Sequence, residues 1–337
     1  EAVAGDAVPA PVQRRVDELL ALIDERTRRH RFEGTLFAGA RYQTNANFGP
    51  SSTVRLGNVT VDIDEGATGE HDYNAFLLGD GRYTYDLGTQ AGDTLEVGGL
   101  AYGAFYREQS QLNLAVLEVD AGPRFELGPR GVRDTTLRPF VIASYVALDG
   151  ATYSRGYGGG ANATFAVTER LLLDGTYTGV REDFRQSGDF PTNDERDAFR
   201  NDVRGLARFA FTPRVFGELE LGLGVNTADE DFRSFTEYRT GGRVVVALDA
   251  PFAALTEPWY TSFSAFYRRV NYDAAEPLPG SPPSRGEDDW RFGAALNAGL
   301  VHGLTAVGRV DYRNVDSNVE LYEFDNFALT LGLLWRF

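Results

Sequence analysis

From about Thr35 to Phe337 the chain alternates residue by residue between apolar and polar side chains, and this two-residue rhythm is the strongest constraint on its fold. In 215–226 the odd positions are Val215, Gly217, Leu219, Leu221, Leu223 and Val225, while the even ones include Glu218, Glu220 and Asn226. In 117–127 Leu117, Val119, Ala121, Phe125 and Leu127 alternate with Glu118, Asp120, Arg124 and Glu126. Successive side chains of a strand point to opposite faces, so each segment has one greasy face and one ionised face.

Fourteen such segments are expected: 34–46, 72–87, 94–107, 112–128, 137–147, 153–167, 171–184, 198–212, 215–227, 235–249, 259–273, 288–301, 304–314 and 322–337. Most run 11 to 16 residues. Soluble strands average ~5–6 residues, whereas a tilted strand crossing a bilayer needs ~9–11. The connections alternate too. Short ones lie near 88–93, 129–136, 168–170, 213–214, 250–258 and 302–303, and mostly longer, polar ones lie between them. Short turns on one side and long loops on the other mark an outer-membrane barrel, with the turns and both termini in the periplasm.

Composition narrows the alternatives. Strictly apolar runs never exceed five residues, so no helix spans a membrane. All 33 basic residues are arginine and the net charge is −16, which leaves no basic face for nucleic acid. Cysteine is absent, which excludes disulfides and thiolate chemistry. A soluble barrel buries its apolar face inward and is full at about eight strands. Fourteen strands with charged faces need water somewhere, and a membrane barrel supplies it in the lumen. The expected fold is therefore all-β: a transmembrane up-and-down antiparallel barrel of about 14 strands over 34–337, after an N-terminal segment 1–33.

That segment holds a helical pattern over 12–30, where Val12, Val16, Leu19, Leu20 and Ile23 form one stripe. It reads as a packed cap, a plug or a partner-binding helix. With Glu1 at its start and no secretory core in 1–10, the chain reads as mature and processed.

Tyr85, Phe125, Phe165, Phe211, Trp259, Trp335 and Phe337 fall at the short-turn ends of strands, where an aromatic girdle meets lipid headgroups. The expected surroundings are outer-membrane lipid and lipopolysaccharide. The last strand ends in Phe337 with Leu329, Leu331, Leu333 and Trp335 on one face, which resembles the C-terminal signature read by the barrel assembly machinery.

With the polar face inward, Arg41, Arg82, Arg124, Arg138, Arg204, Arg208, Arg291, Arg309 and Arg313 line the lumen. Glu118, Asp120, Glu218, Glu220 and Asp311 stand against them. Glycines at 156, 158, 159 and 160, and at 98 and 99, leave smooth strips that relieve curvature or admit a neighbouring aromatic.

Catalytic chemistry is sparse. His30 closes the helix and His302 sits in a short turn, while His71-Asp72 opens the second strand at the extracellular rim, a single His–Asp dipeptide where a general base would need a serine or water to polarise. The acidic runs Asp62–Glu65 and Asp229–Asp231 match no full calcium loop. Neither an enzyme, a metal nor a cofactor is expected.

The opening strand reads Tyr42-Gln-Thr-Asn45-Ala-Asn47 before a Pro-containing loop. With fourteen strands behind a helix, it resembles the C-terminal barrel of the surface lipoprotein assembly modifier family. The resemblance implies export of surface proteins, a periplasmic or surface protein partner, and Tyr42, Asn45 and Asn47 as matching positions without catalytic roles. The function expected from sequence is a transport or export conduit. A diffusion porin for small solutes and a structural anchor of a larger envelope assembly are the alternatives.

Overall fold

A strand whose outer face is greasy has no edge to leave open in hydrocarbon, and here the sheet closes on itself. The computed structural model describes residues 28–56, 59–132, 134–188, 190–252, 257–278, 280–282, 284–301 and 303–337. Its strands are β1 (His30–Gln43), β2 (Thr53–Leu56), β3 (Val59–Asp62), β4 (Asp72–Asp86), β5 (Thr94–Tyr106), β6 (Leu114–Glu126), β7 (Thr135–Leu148) and β8 (Ala151–Thr168). They continue as β9 (Leu171–Phe184), β10 (Ala198–Thr212), β11 (Val215–Ala228), β12 (Phe235–Leu248), β13 (Trp259–Tyr272), β14 (Gly286–Gly299), β15 (Leu304–Ser317) and β16 (Phe324–Arg336). Fourteen of them form the barrel; β2 and β3 make a separate hairpin inside the first long loop.

Each barrel strand pairs antiparallel with its sequence neighbours, and β1 closes the cylinder against β16, from Thr35 opposite Arg336 to Gln43 opposite Ala328. Gly39 faces Gly332 across this seam. A Cβ on Gly332 would lie 2.6 Å from the Phe37 ring, and one on Gly39 would lie 3.0 Å from the Phe76 ring. Two inward phenylalanines thus cover bare backbone at the closing seam, an aromatic-over-glycine packing that supports edge strands.

The molecule is inside out. The largest fully buried side chains include Glu237, Asp72 and Asp289, while Leu331 is 60% exposed and Leu221 58%. Leucine at such positions is stable only where lipid replaces water. Phe165, Phe211, Trp335 and Phe337 stand exposed at the short-turn end, with Tyr85, Phe125 and Trp259 at the same level. A second belt that the sequence reading lacked lies near the long loops: Tyr73, Phe105, Phe199, Tyr238 and Phe327 face outward, and Tyr267 packs on Trp290 at 4.5 Å. From Tyr73 to Tyr83 on β4 is ten residues, which at ~3.3 Å each and a ~40° tilt gives ~25 Å, the height of a barrel's apolar band.

Most strand ends lie within two or three residues of expectation, and the N-terminal boundary differs most. The helix expected at 12–30 falls almost wholly outside the described residues, and His30 does not end a helix: it opens β1, pairs with Tyr85, and its Nδ1 lies 2.6 Å from the Tyr83 hydroxyl. The barrel thus begins before residue 34. At the short turns, Arg130 holds Asp93 through two bonds of 2.6 and 2.9 Å. These bonds from Arg130, with the Glu126 amide, keep the Asp93 carboxyl well below the usual carboxylate range, so the clamp between the turns survives mild acid.

Leu331→Arg, at the middle of β16, is expected to destabilise the barrel in phospholipid bilayers by about 2–4 kcal/mol, read by urea titration of the unheated gel-shifted form. A change within about 0.5 kcal/mol, as for an ordinary surface site, would mean this face sees water.

Candidate functional site

Because strand side chains alternate, the polar half of every strand converges on the barrel axis, and the site is the lumen. Three cavities adjoin along it. One of about 510 Å³ at the short-turn end is lined by Glu33, Asp80, Arg82, Glu118, Asp120 and Phe337 among others. The middle one, about 770 Å³, shares Arg82, Glu118 and Asp120 with it and adds Arg124, Arg138, Arg204, Arg208 and Glu220. The third, about 630 Å³ in the long-loop half, shares Arg200, Glu220 and Arg239 with the middle cavity and adds Arg41, Arg291, Arg309, Asp311 and Arg313. Glu218 lies beside them on β11, 3.3 Å from Arg208 and 3.7 Å from Arg243.

The charges are organised around a few buried carboxylates. Toward the short turns Glu96, 5% exposed, takes Arg82 at 2.7 Å, Arg124 at 2.8 Å and Arg138 at 3.1 Å, while Arg138 also reaches Asp120. Toward the long loops Asp289 takes Arg291 at 2.7 Å, Arg313 at 2.9 Å and Arg268 at 3.5 Å. Glu237 is held by Arg200, Arg268 and Arg239. These hubs resolve a register problem: Arg239 stands directly opposite Arg268, and Arg291 opposite Arg313. Like charges opposite one another repel, and the shared carboxylates offset that repulsion.

Glycines on β11 make the reach possible. A Cβ on Gly224 would lie 2.8 Å from Glu237 Cγ, and one on Gly222 would lie 2.8 Å from Arg239 Nε. The bare trough lets β10 and β12 bridge across the strand between them through Arg200–Glu237 and Arg239–Asp202. The strip on β8 is likewise filled from a neighbour: the Phe140 ring occupies the space beside Gly160. Glu237 and Asp289 were absent from the sequence-based set, although the alternation places each two residues before a lumen arginine on the same face.

The family-motif positions serve the first long loop. Tyr42 faces outward and packs on Tyr73 at 4.8 Å. Asn45 is buried and brackets Gly49, donating from Nδ2 to its carbonyl at 2.9 Å and accepting its amide at 3.0 Å. Asn47 donates to the Thr68 carbonyl and accepts the Glu70 amide, pinning the loop base. Asp72 accepts the amides of Glu108 and Gln109 and so caps the next loop rather than pairing with His71. His302 lies outside the described residues.

The long loops are fastened to one another. Arg285 sits between the rings of Tyr272 and Tyr322, 3.7 and 3.8 Å from their centroids, and forms ion pairs with Glu276 at 2.7 Å and Glu287 at 3.1 Å. Burial pushes the Tyr322 phenol up. The β2–β3 hairpin reaches the same loop, with Arg55 3.1 Å from Glu320.

No family model and no curated protein matches the chain. Solved structures similar to it include a bacterial polysaccharide outer membrane secretin (11% identity, TM-score 0.44, 90% of this chain and 98% of that one). An anion-selective porin from Comamonas acidovorans follows at 9% identity and TM-score 0.44, over 91% and 99% of the two chains. A Pseudomonas aeruginosa FadL homologue follows at 10% and 0.45, over 92% and 90%. At this level of likeness they carry no inference about solute or partner.

Asp289→Asn is expected to destabilise the barrel by about 3–5 kcal/mol in the same urea titration, because it strips the shared partner from three arginines. Asp249→Asn breaks only the Arg214 pair, 63% and 81% exposed, and should cost at most about 1 kcal/mol. Equal effects would contradict the hub.

Proposed function

We propose that this protein is a bacterial outer-membrane conduit for small hydrophilic solutes, with its short turns and both termini in the periplasm and its long loops outside. The observation that carries the reading is the chain of three charged cavities sharing lining side chains from the short-turn end to the long-loop half. A barrel that served only as an anchor would gain more from filling this space than from lining it with hydrated ions. Cavities of this size suit metabolites rather than folded proteins, so export of surface proteins would require the loops to swing clear. The strand closing on Phe337 fits recognition by the barrel assembly machinery, and the exposed leucine band fits lipid and lipopolysaccharide.

Arg285 fastens the β13–β14 loop to the β15–β16 loop through Tyr272, Tyr322 and Glu276, which makes that loop pair the candidate gate of the conduit. Stepwise currents are expected when the full chain is reconstituted into planar bilayers, and Arg285→Ala, which frees the 273–285 loop, should raise the unitary conductance. Silence from both proteins, once their unheated gel shift shows folded barrels, would overturn the conduit.

A further inference from the structure

The long-loop cavity does not share the sign of the chain. The protein carries a net charge of −16, yet this cavity is lined by seven arginines against four carboxylates. Asp289 and Glu237 serve five guanidiniums between them, Arg268 contacting both. Asp202, in the adjoining cavity, also takes Arg200 and Arg239, and even with it counted the arginines of the wall outnumber the carboxylates. Arg41 is the clearest surplus. Among the described residues no carboxylate lies within ion-pair distance of it: its Nε donates to Thr330 Oγ1 at 3.3 Å and its guanidinium lies 5.2 Å from the Phe76 ring.

A second, independent feature occupies the same wall. Phe48 has a left-handed backbone, φ 54°, which is strained for a bulky side chain. The tight turn bracketed by Asn45 and Gly49 places its ring on the cavity lining, beside Arg313 at 5.3 Å and Phe324 at 5.1 Å, and it remains 43% exposed. Phe37 and Phe76 cover the glycine seam. Phe48 covers no such seam and offers its ring to whatever enters.

We propose that this cavity is a binding site for small organic anions: a carboxylate head drawn into the arginine-rich wall and taken by Arg41, with an apolar or aromatic body laid against Phe48. The site rests on the conduit reading, since it lies on the path, and it names the class of solute that path would favour. Desolvated arginine–carboxylate contacts are the strong kind, and a ring face beside a guanidinium adds both apolar contact and cation–π attraction.

The test is equilibrium binding to the full chain in detergent at low salt, by calorimetry, with benzoate, acetate and benzyl alcohol as probes. Benzoate should bind at least about tenfold more tightly than either acetate, which lacks the ring, or benzyl alcohol, which lacks the charge; tenfold is about one charge-assisted bond. Arg41→Gln should weaken benzoate about tenfold. It orphans no acid, so the barrel should fold. Phe48→Asn, a residue at ease in the left-handed region, should bring benzoate down to the level of acetate. Benzoate and benzyl alcohol binding alike, or either variant binding benzoate as the parent does, would overturn the anion site. Binding is read without current, so benzoate bound by a protein that never conducts sinks the conduit alone, and a conducting protein that ignores benzoate sinks the site alone.

Discussion

In hydrocarbon a backbone amide has no water to bond, so every peptide group of the spanning segment must find a partner within the protein. The β1–β16 seam answers that requirement. Once the sheet is closed, the alternation of side chains does the rest: one face of every strand meets acyl chains and the other meets the enclosed space. The glycine pair Gly39–Gly332 and the rings of Phe37 and Phe76 are the local devices that let the first and last strands approach.

Closure creates a second problem, which is how to keep many ionised groups inside a cylinder. Isolated buried charges are costly, and pairs broken on one side cost several kcal/mol. The lumen meets this chiefly with carboxylates shared by three arginines each, at Glu96, Glu237 and Asp289, beside one-to-one pairs such as Arg309–Asp311. Sharing leaves some guanidiniums under-neutralised. That residue of positive charge is what gives the long-loop cavity a character opposite to the chain as a whole.

Much of this was legible in the sequence, because a period of two over segments longer than ten residues has few other meanings. Segments 171–184 and 198–212 coincide with β9 and β10, and all fourteen expected strands are present. The β2–β3 hairpin escaped because its arms are four residues each, too short to alternate convincingly, although Gly57-Asn58 between them is a turn signal. The long-loop aromatic belt is written in the same rhythm, at Tyr73, Tyr238 and Phe327, but it sits beside long polar loops whose bounds periodicity does not fix. What sequence could not supply is register. That Arg239 faces Arg268, or that Arg200 reaches Glu237 across a glycine trough, depends on how strands slide past one another, and periodicity is blind to that slide. The strained turn presenting Phe48 is equally invisible, since Asn45 and Asn47 read as a motif without a mechanism until their loop bonds are seen.

The whole account depends on which medium touches the outer face, and the three tryptophans report on it, since Trp259, Trp290 and Trp335 all alternate with the lumen residues on their strands. Their fluorescence should be quenched strongly by brominated acyl chains and weakly by aqueous acrylamide when the protein is reconstituted into lipid vesicles. Strong acrylamide quenching with indifference to brominated lipid would show a water-facing exterior and contradict the membrane-spanning barrel.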